Sequence, residues 1–278
     1  MKIVKTIADV RIARWRDADS TWGLVPTMGF LHDGHMSLVH RARQENTHVG
    51  VSIFVNPTQF ENTGDLDAYP TDLTRDLALL ADAQVDVVWV PAPEVVYPAG
   101  FQTYIDVEEV TRPLEGQSRA GHFRGVATVV AKLFNVFQPT RAYFGQKDAQ
   151  QALTIQRMVE DLNFNLSVVI CETVRETDGL AMSSRNVRLR LRDREQAAAL
   201  YAGLRAAQAQ YSHGERRAEV LRECVRASLS CTDVTEIDYV SVADPVTLTE
   251  LDQVGASGAL VSVAAWFGDV RLIDNLRV

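Results

Sequence analysis

Up to Cys171 the chain alternates short runs that are apolar at nearly every position with longer runs that are apolar on one side only. Trp22–Pro26, Val49–Val55, Val85–Val90, Ala142–Phe144 and Leu166–Cys171 lack the every-second-residue polarity of a strand with one wet face. Between them, Gly34–Glu45, Asp72–Ala83, Phe123–Phe137 and Asp148–Leu162 place apolar residues at helical spacing, as Val126, Val129, Val130, Leu133, Val136 and Phe137 do. Thr6–Asp17 reads as a further helix ahead of the first strand. A strand apolar on both faces must be covered on both, and helices crossing over between such strands produce a parallel sheet. The expected fold class is therefore α/β, with a doubly wound, Rossmann-like parallel sheet domain over residues 1–175.

The pattern changes after Cys171. Thr177–Arg194 is rich in Arg, Asp and Ser and reads as a linker or mobile loop. Glu195–Tyr211 and Glu215–Leu229 read as helices; Glu236–Val242, Ala259–Phe267 and Val270–Asn275 read as strands, with Gly268-Asp269 as a two-residue hairpin turn. This predicts a smaller C-terminal α+β domain over residues 176–278. A net charge of −8 with no basic run argues against nucleic acid as a partner. No apolar run has the length of a membrane span, so no membrane partner is expected. Cys171, Cys224 and Cys231 form no pair pattern, and the first residues lack a signal-peptide core, so the expected location is cytoplasmic.

Ligands of doubly wound sheets sit beyond the carboxyl ends of the strands. Three loops at such ends stand out. In Leu24–His35, Pro26 cannot donate to a ladder and should end the strand, and Gly29 can turn with positive φ. A helix from about His35, with Gly34 at its entrance, would offer N–H groups to a phosphate. His32 and His35 share a face, which suits nucleotide chemistry or half of a zinc site. Asn56 and Gln59 follow the second buried strand and could bond a polar substrate or simply turn the chain around Pro57. Gly145-Gln146-Lys147-Asp148 opens a helix, and Lys147 is one of only four lysines among 28 basic residues; the P-loop spacing is absent. Two further stretches, Gly116–Gly125 with Arg119, His122 and Arg124, and Met182-Ser183-Ser184-Arg185-Asn186, are either anion sites or polar loops.

In this order and at these spacings the stretches closely resemble the pantothenate synthetase (pantoate–β-alanine ligase) family of the nucleotidylyltransferase superfamily. The resemblance is carried by Val25–His35, Ser52–Phe60, Glu115-Gly116 with Gly121–Val126, Tyr143–Asp148 with Gln150-Gln151, Asp178–Asn186 and Ala264–Asn275, so it covers essentially the whole chain. It implies an ATP-dependent ligase that couples (R)-pantoate to β-alanine through a pantoyl adenylate, with Mg2+, in a homodimer. ATP would be held by Met28, Gly29, Phe30, Leu31, His32, Asp33, Gly34 and His35, by Gly145, Gln146, Lys147 and Asp148, and by Val174, Met182, Ser183, Ser184 and Arg185. His35, His32, Lys147, Ser183, Ser184 and Arg185 would be catalytic; Gln59 and Gln151, with Asn56, would hold pantoate and β-alanine. The magnesium would be carried mainly by the ATP phosphates, and the C-terminal domain would act as a lid. Phe30, Ala120 and Ala149 depart from the family pattern, Ala149 leaving a smaller side chain near Gln151. Two other readings are a superfamily nucleotidyltransferase that would not need Gln59 or Gln151, and a non-catalytic ATP sensor.

Overall fold

The structure, a computed structural model, describes residues 1–60 and 63–278. It resolves into two compact units. The first comprises Met1–Thr111, Arg119–Gly145 and Gln151–Glu172. It holds a six-stranded parallel sheet of β1 (Lys2–Val4), β2 (Trp22–Thr27), β3 (His48–Ile53), β4 (Val87–Trp89), β5 (Arg141–Gly145) and β6 (Ser167–Cys171). The strand order is β1-β4-β3-β2-β5-β6, so the winding reverses between β2 and β5. That reversal is where a doubly wound sheet binds its ligand.

Both faces of this sheet are covered, as the apolar runs require. Leu24, Val87, Trp89, Ala142 and Phe144 pack on one side with Val126, Val130 and Phe134 of the helix His122–Phe137 and with Ile155 and Met158. Val25, Val88 and Tyr143, their immediate neighbours in sequence, pack on the other with Met36, Val39 and Leu80. Side chains of successive strand residues point to opposite faces, so continuous apolarity along each strand feeds two separate cores.

The second unit comprises Arg112–Ser118, Gln146–Gln150 and Thr173–Val278. Its sheet is antiparallel, β7 (Glu236–Ala243), β8 (Leu260–Phe267) and β9 (Val270–Arg277) in that order. The hairpin turn at Gly268-Asp269 is present, with Gly268 at φ 58°. Helices Ala199–Ser212 and Ala218–Ser230 bury Leu200, Leu204, Leu221 and Val225 in one cluster with Val261, Val263 and Ala265.

Several expectations from sequence need correction. The first strand, β1, is not among those the pattern predicts; three residues are too few to show a period. β2 does not end at Pro26 but runs through it to Thr27. Thr27 accepts from Phe54 N, so odd-numbered residues of β2 face β3, and Pro26 faces β5. There the ladder already stops at Leu24–Ala142, so the missing N–H removes no rung from the β2–β3 pairing. The segment Thr177–Arg194 is turn and coil over most of its length up to Arg190, as expected of a loop, but it is tied down at several points. Arg175 and Ala181 form a bridge, Leu191–Ala197 is helical, and Arg194 reaches Asp178 at 2.5 Å and Glu176 at 2.6 Å. Among the described residues no helix is long and apolar enough to cross a membrane.

Candidate active site

The loop after β2 is shaped by a buried carboxylate that sequence reading passes over. Asp76, 1% exposed on the helix Leu73–Asp82, accepts Phe30 N at 2.7 Å and Leu31 N at 2.8 Å. Arg75 donates to Leu31 O at 2.9 Å, and its guanidinium lies over the Phe30 ring. Gly29 turns at φ 84° and Phe30 at φ 50°, so the chain must be held in the left-handed region for two residues, and the Asp76 contacts do this. The signal was legible in principle: Asp76 lies four before Leu80, on the inward stripe of an amphipathic helix.

The helix following this loop is Asp33–Glu45, beginning one residue before the expected Gly34–Glu45 span and two before the entrance expected at about His35. His32 is its N-cap. His32 Nδ1 accepts Gly34 N at 3.1 Å, and His35 Nδ1 accepts His32 N at 3.3 Å. The rings pack against each other at a 4.0 Å centroid distance, tilted by 40°. The helix entrance is thus not bare backbone. Its first amides are capped by imidazole. An Nδ1 that accepts forces the ring hydrogen onto Nε2, so both neutral rings are Nε2–H donors.

The turn after β3 is equally built. Asn56 is 1% exposed, donates to Gln59 Oε1 at 3.0 Å and Gly125 O at 3.3 Å, and accepts from Thr58 at 3.0 Å and the Tyr97 hydroxyl at 2.8 Å. Burial pushes the Tyr97 phenol up, keeping it a donor. Asn56 therefore orients Gln59, whose Nε2 lies 3.1 Å from Met28 Sδ. Two expected binding elements, the Met28 loop and Gln59, are thereby brought together in one unit. The carbonyl of Gln59 takes His122 Nδ1 at 2.9 Å and Arg119 at 3.4 Å, while Arg119 also reaches His122 Nε2 at 3.2 Å. A carbonyl can only accept and a guanidinium only donate, so His122 is a neutral Nδ1–H tautomer. The loop read as an anion site or a polar loop thus has His122 buried against the back of Gln59. Gly125 makes this possible, because a Cβ there would lie 2.6 Å from Thr58 C and 2.8 Å from Gln59 N. Gln151 is half-buried on the helix Ala149–Asp161.

The remaining expected residues lie in the second unit, save Gly145, which ends β5 with open space before its α-carbon. Gln146–Asp148 form one short turn in which the Lys147 ammonium stands 3.3 Å from Asp148 Oδ1. Met182 N donates to Val174 O at 3.0 Å, placing these two residues side by side. Ser183 Oγ accepts Arg185 N at 3.2 Å, and Ser184 is buried. Asn275, also missed from sequence, donates to the carbonyls of Gln146 and Lys147 at 3.0 and 2.8 Å.

These groups are suited to anionic ligands. Nε2–H donors, an ammonium and a guanidinium can each meet phosphate oxygens, and the Gln59 amide can bond hydroxyls without adding charge. Comparison with known proteins identifies the family. The family model for pantoate-β-alanine ligase matches residues 2–277. The pantothenate synthetase of Chloroflexus aggregans is 56% identical over 275 residues, which is 99% of both chains. A crystal structure of pantothenate synthetase from Thermus thermophilus aligns with a TM-score of 0.95 at 47% identity, covering 99% of each chain. A pantoate-β-alanine ligase from Francisella tularensis, crystallised with beta-gamma ATP and β-alanine, aligns at 0.81 with 35% identity over 100% of this chain and 97% of that one. With the family match and more than half of its residues shared over its whole length, the chain belongs to the pantoate–β-alanine ligase family, enzymes of pantothenate biosynthesis.

Proposed function

We propose that the chain couples (R)-pantoate to β-alanine in two steps driven by ATP. In the first, a pantoate carboxylate oxygen attacks the α-phosphorus of ATP, forming pantoyl adenylate as pyrophosphate leaves. In the second, the β-alanine amine attacks the acyl carbon; AMP leaves, the amine loses a proton, and pantothenate results. The observation that carries this reading is the His32–His35 pair, whose Nδ1 atoms both accept backbone N–H groups and so leave N–H on both Nε2 atoms. A carboxylate is already a nucleophile, so the first step needs no base. It needs two anions held together and charge met on the departing phosphates.

His35 donates to the phosphate oxygens as charge develops, with His32 beside it; Lys147 and Arg185 add positive charge. Met28–His35, Gly145–Asp148, Val174 and Met182–Arg185 hold the nucleotide. Gln59, aimed by Asn56, binds pantoate together with Gln151, and Gln59 also lies near β-alanine. The second step requires that water be kept from the acyl adenylate. The Francisella complex, holding a nucleotide and β-alanine, supports both as ligands.

Magnesium fits this donor set as a companion of the nucleotide. Among the described residues no group of three or more His, Cys, Asp or Glu could hold a metal ion, and Mg2+ is commonly carried by substrate phosphates and water with few protein ligands. Bound to the phosphates, it would neutralise part of their charge. The family resemblance also makes a homodimer in the cytoplasm the expected state, checked by sedimentation equilibrium and cell fractionation.

The test is exchange of labelled pyrophosphate into ATP. Exchange should require pantoate but not β-alanine. His35→Ala should lower it by about 10²–10³-fold, the usual effect of removing one transition-state donor. Exchange that is independent of pantoate, or undiminished in His35→Ala, would overturn the reading.

A further inference from the structure

The stretch Ala264–Asn275 carries much of the family resemblance, yet none of its residues has a role in the reaction as proposed. Its last two residues lie on β9 and are 2% and 5% exposed. As neighbours on one strand they face opposite sides. Asp274 takes Arg175 in a two-pronged pair at 2.6 and 3.0 Å, and Asn275 N at 2.8 Å. Arg175 also donates to Gly179 O at 3.0 Å and stacks 3.7 Å from the Tyr201 ring, so it is fixed on three sides. It adjoins Val174, which pairs with Met182. Asn275 meets the other segment. Its Nδ2 donates to Gln146 O at 3.0 Å and Lys147 O at 2.8 Å, and its Oδ1 accepts Gln146 Nε2 at 2.9 Å. Both donors and the acceptor are used, so an amide is required: a carboxylate of the same shape would set oxygen against two carbonyls.

We infer that Asp274 and Asn275 are positioning residues for the nucleotide: Asn275 sets the backbone that carries Lys147, and Asp274, through Arg175, sets the Val174–Met182 pair. This rests on the proposed reading that those two segments hold ATP. Such supporting contacts matter because a site group misplaced by an ångström loses much of its effect.

The experiment measures ATP affinity by calorimetry and the KM for pantoate on the full chain, beside thermal melting. Asn275→Asp keeps size and the acceptor but loses both donated hydrogen bonds, which sets the expected weakening of ATP binding at about 30-fold, with the pantoate KM moving less than about twofold. Leu272→Ala, on the same strand and 4% exposed, is the stability control and should lower the melting temperature with unchanged ATP affinity. If Asn275→Asp behaves as Leu272→Ala does, the two residues are structural only and the inference is wrong. Should Asn275→Asp fail to fold, Arg175→Lys, which keeps the charge but not the two-pronged grip, should weaken ATP by about tenfold; unchanged affinity there also overturns it. Lys147→Ala separates the two levels. Impaired ATP binding in Lys147→Ala with normal binding in Asn275→Asp rejects the positioning role alone, whereas normal binding in Lys147→Ala rejects the site reading and this inference with it.

Discussion

Replacing Asp76 should unlock the loop after β2 more than it harms the helix that carries the residue. The carboxylate is buried and accepts two amides, Phe30 N at 2.7 Å and Leu31 N at 2.8 Å. Asp76→Ala leaves both N–H groups without their acceptor; the buried Leu31 amide so stranded costs about 1–3 kcal/mol and the part-buried Phe30 amide less, giving about 1–5 kcal/mol in all. Asp76→Asn keeps the volume and one oxygen but turns an NH2 toward one of the two amides, so about half that loss is expected. A domain of ordinary stability, about 5–15 kcal/mol, survives the second change and can fail under the first. Asp76→Asn is therefore the variant to measure. Urea unfolding gives the loss in stability, and hydrogen exchange at Phe30 and Leu31 gives its location. Both amides should exchange faster in Asp76→Asn while those inside the helix Asp33–Glu45 stay protected. Wild-type exchange at both amides, with an unfolding free energy within about 0.5 kcal/mol of wild type, would show that the carboxylate does not hold the loop.

Gly125→Ala should destabilise by about 1–3 kcal/mol or more, because its Cβ would be driven into the Thr58–Gln59 backbone, and it should raise the KM for pantoate by displacing Gln59; denaturation with steady-state kinetics checks both. Tyr143 gives a pH signature. Burial, and then its hydrogen bond to Glu45, push the phenol up to about 12 from an ordinary value of 10.0. Below the ordinary value folded and unfolded chains both keep the proton and the stabilisation is complete. As pH rises from about 10 toward about 12 the unfolded chain ionises first, so stability falls. Tyr143→Phe should lose about 1–3 kcal/mol near neutral pH, from its bonds to Glu45 and Asn46, and should show a shallower decline across that alkaline range in melting experiments.

The fold was legible where apolarity was continuous. Val49–Val55 and Val85–Val90 read as doubly covered strands; the first is β3, close to the expected limits, and the second is β4 over Val87–Trp89 only. It was less legible where a local rule met a tertiary exception. Pro26 ought to stop a strand, but which side its missing N–H faces depends on where β5 ends its pairing, and no local pattern contains that. At the candidate site the polar residues of loops were readable as types, yet their division of labour was not. His32 and Asn56 look alike in sequence as polar groups near strand ends. In the structure one caps a helix, and the other is buried beneath Gln59. Asp76, Asp274 and Asn275 were missed because each acts across a large sequence separation, on Phe30, Arg175 and Lys147 in turn.

Pro26 also bears on how the centre of the sheet could be extended by another strand. Past Leu24–Ala142 the β2–β5 ladder has no rung, so an edge exists in the middle of the sheet. Edges invite an extended peptide to add itself as another strand. Along this one, Pro26 presents a carbonyl but no N–H, so an incoming backbone would find its register broken at the first full repeat. A compact ligand, recognised by single contacts, meets no such obstacle. At this margin the proline withholds the backbone donor that a pairing strand would need.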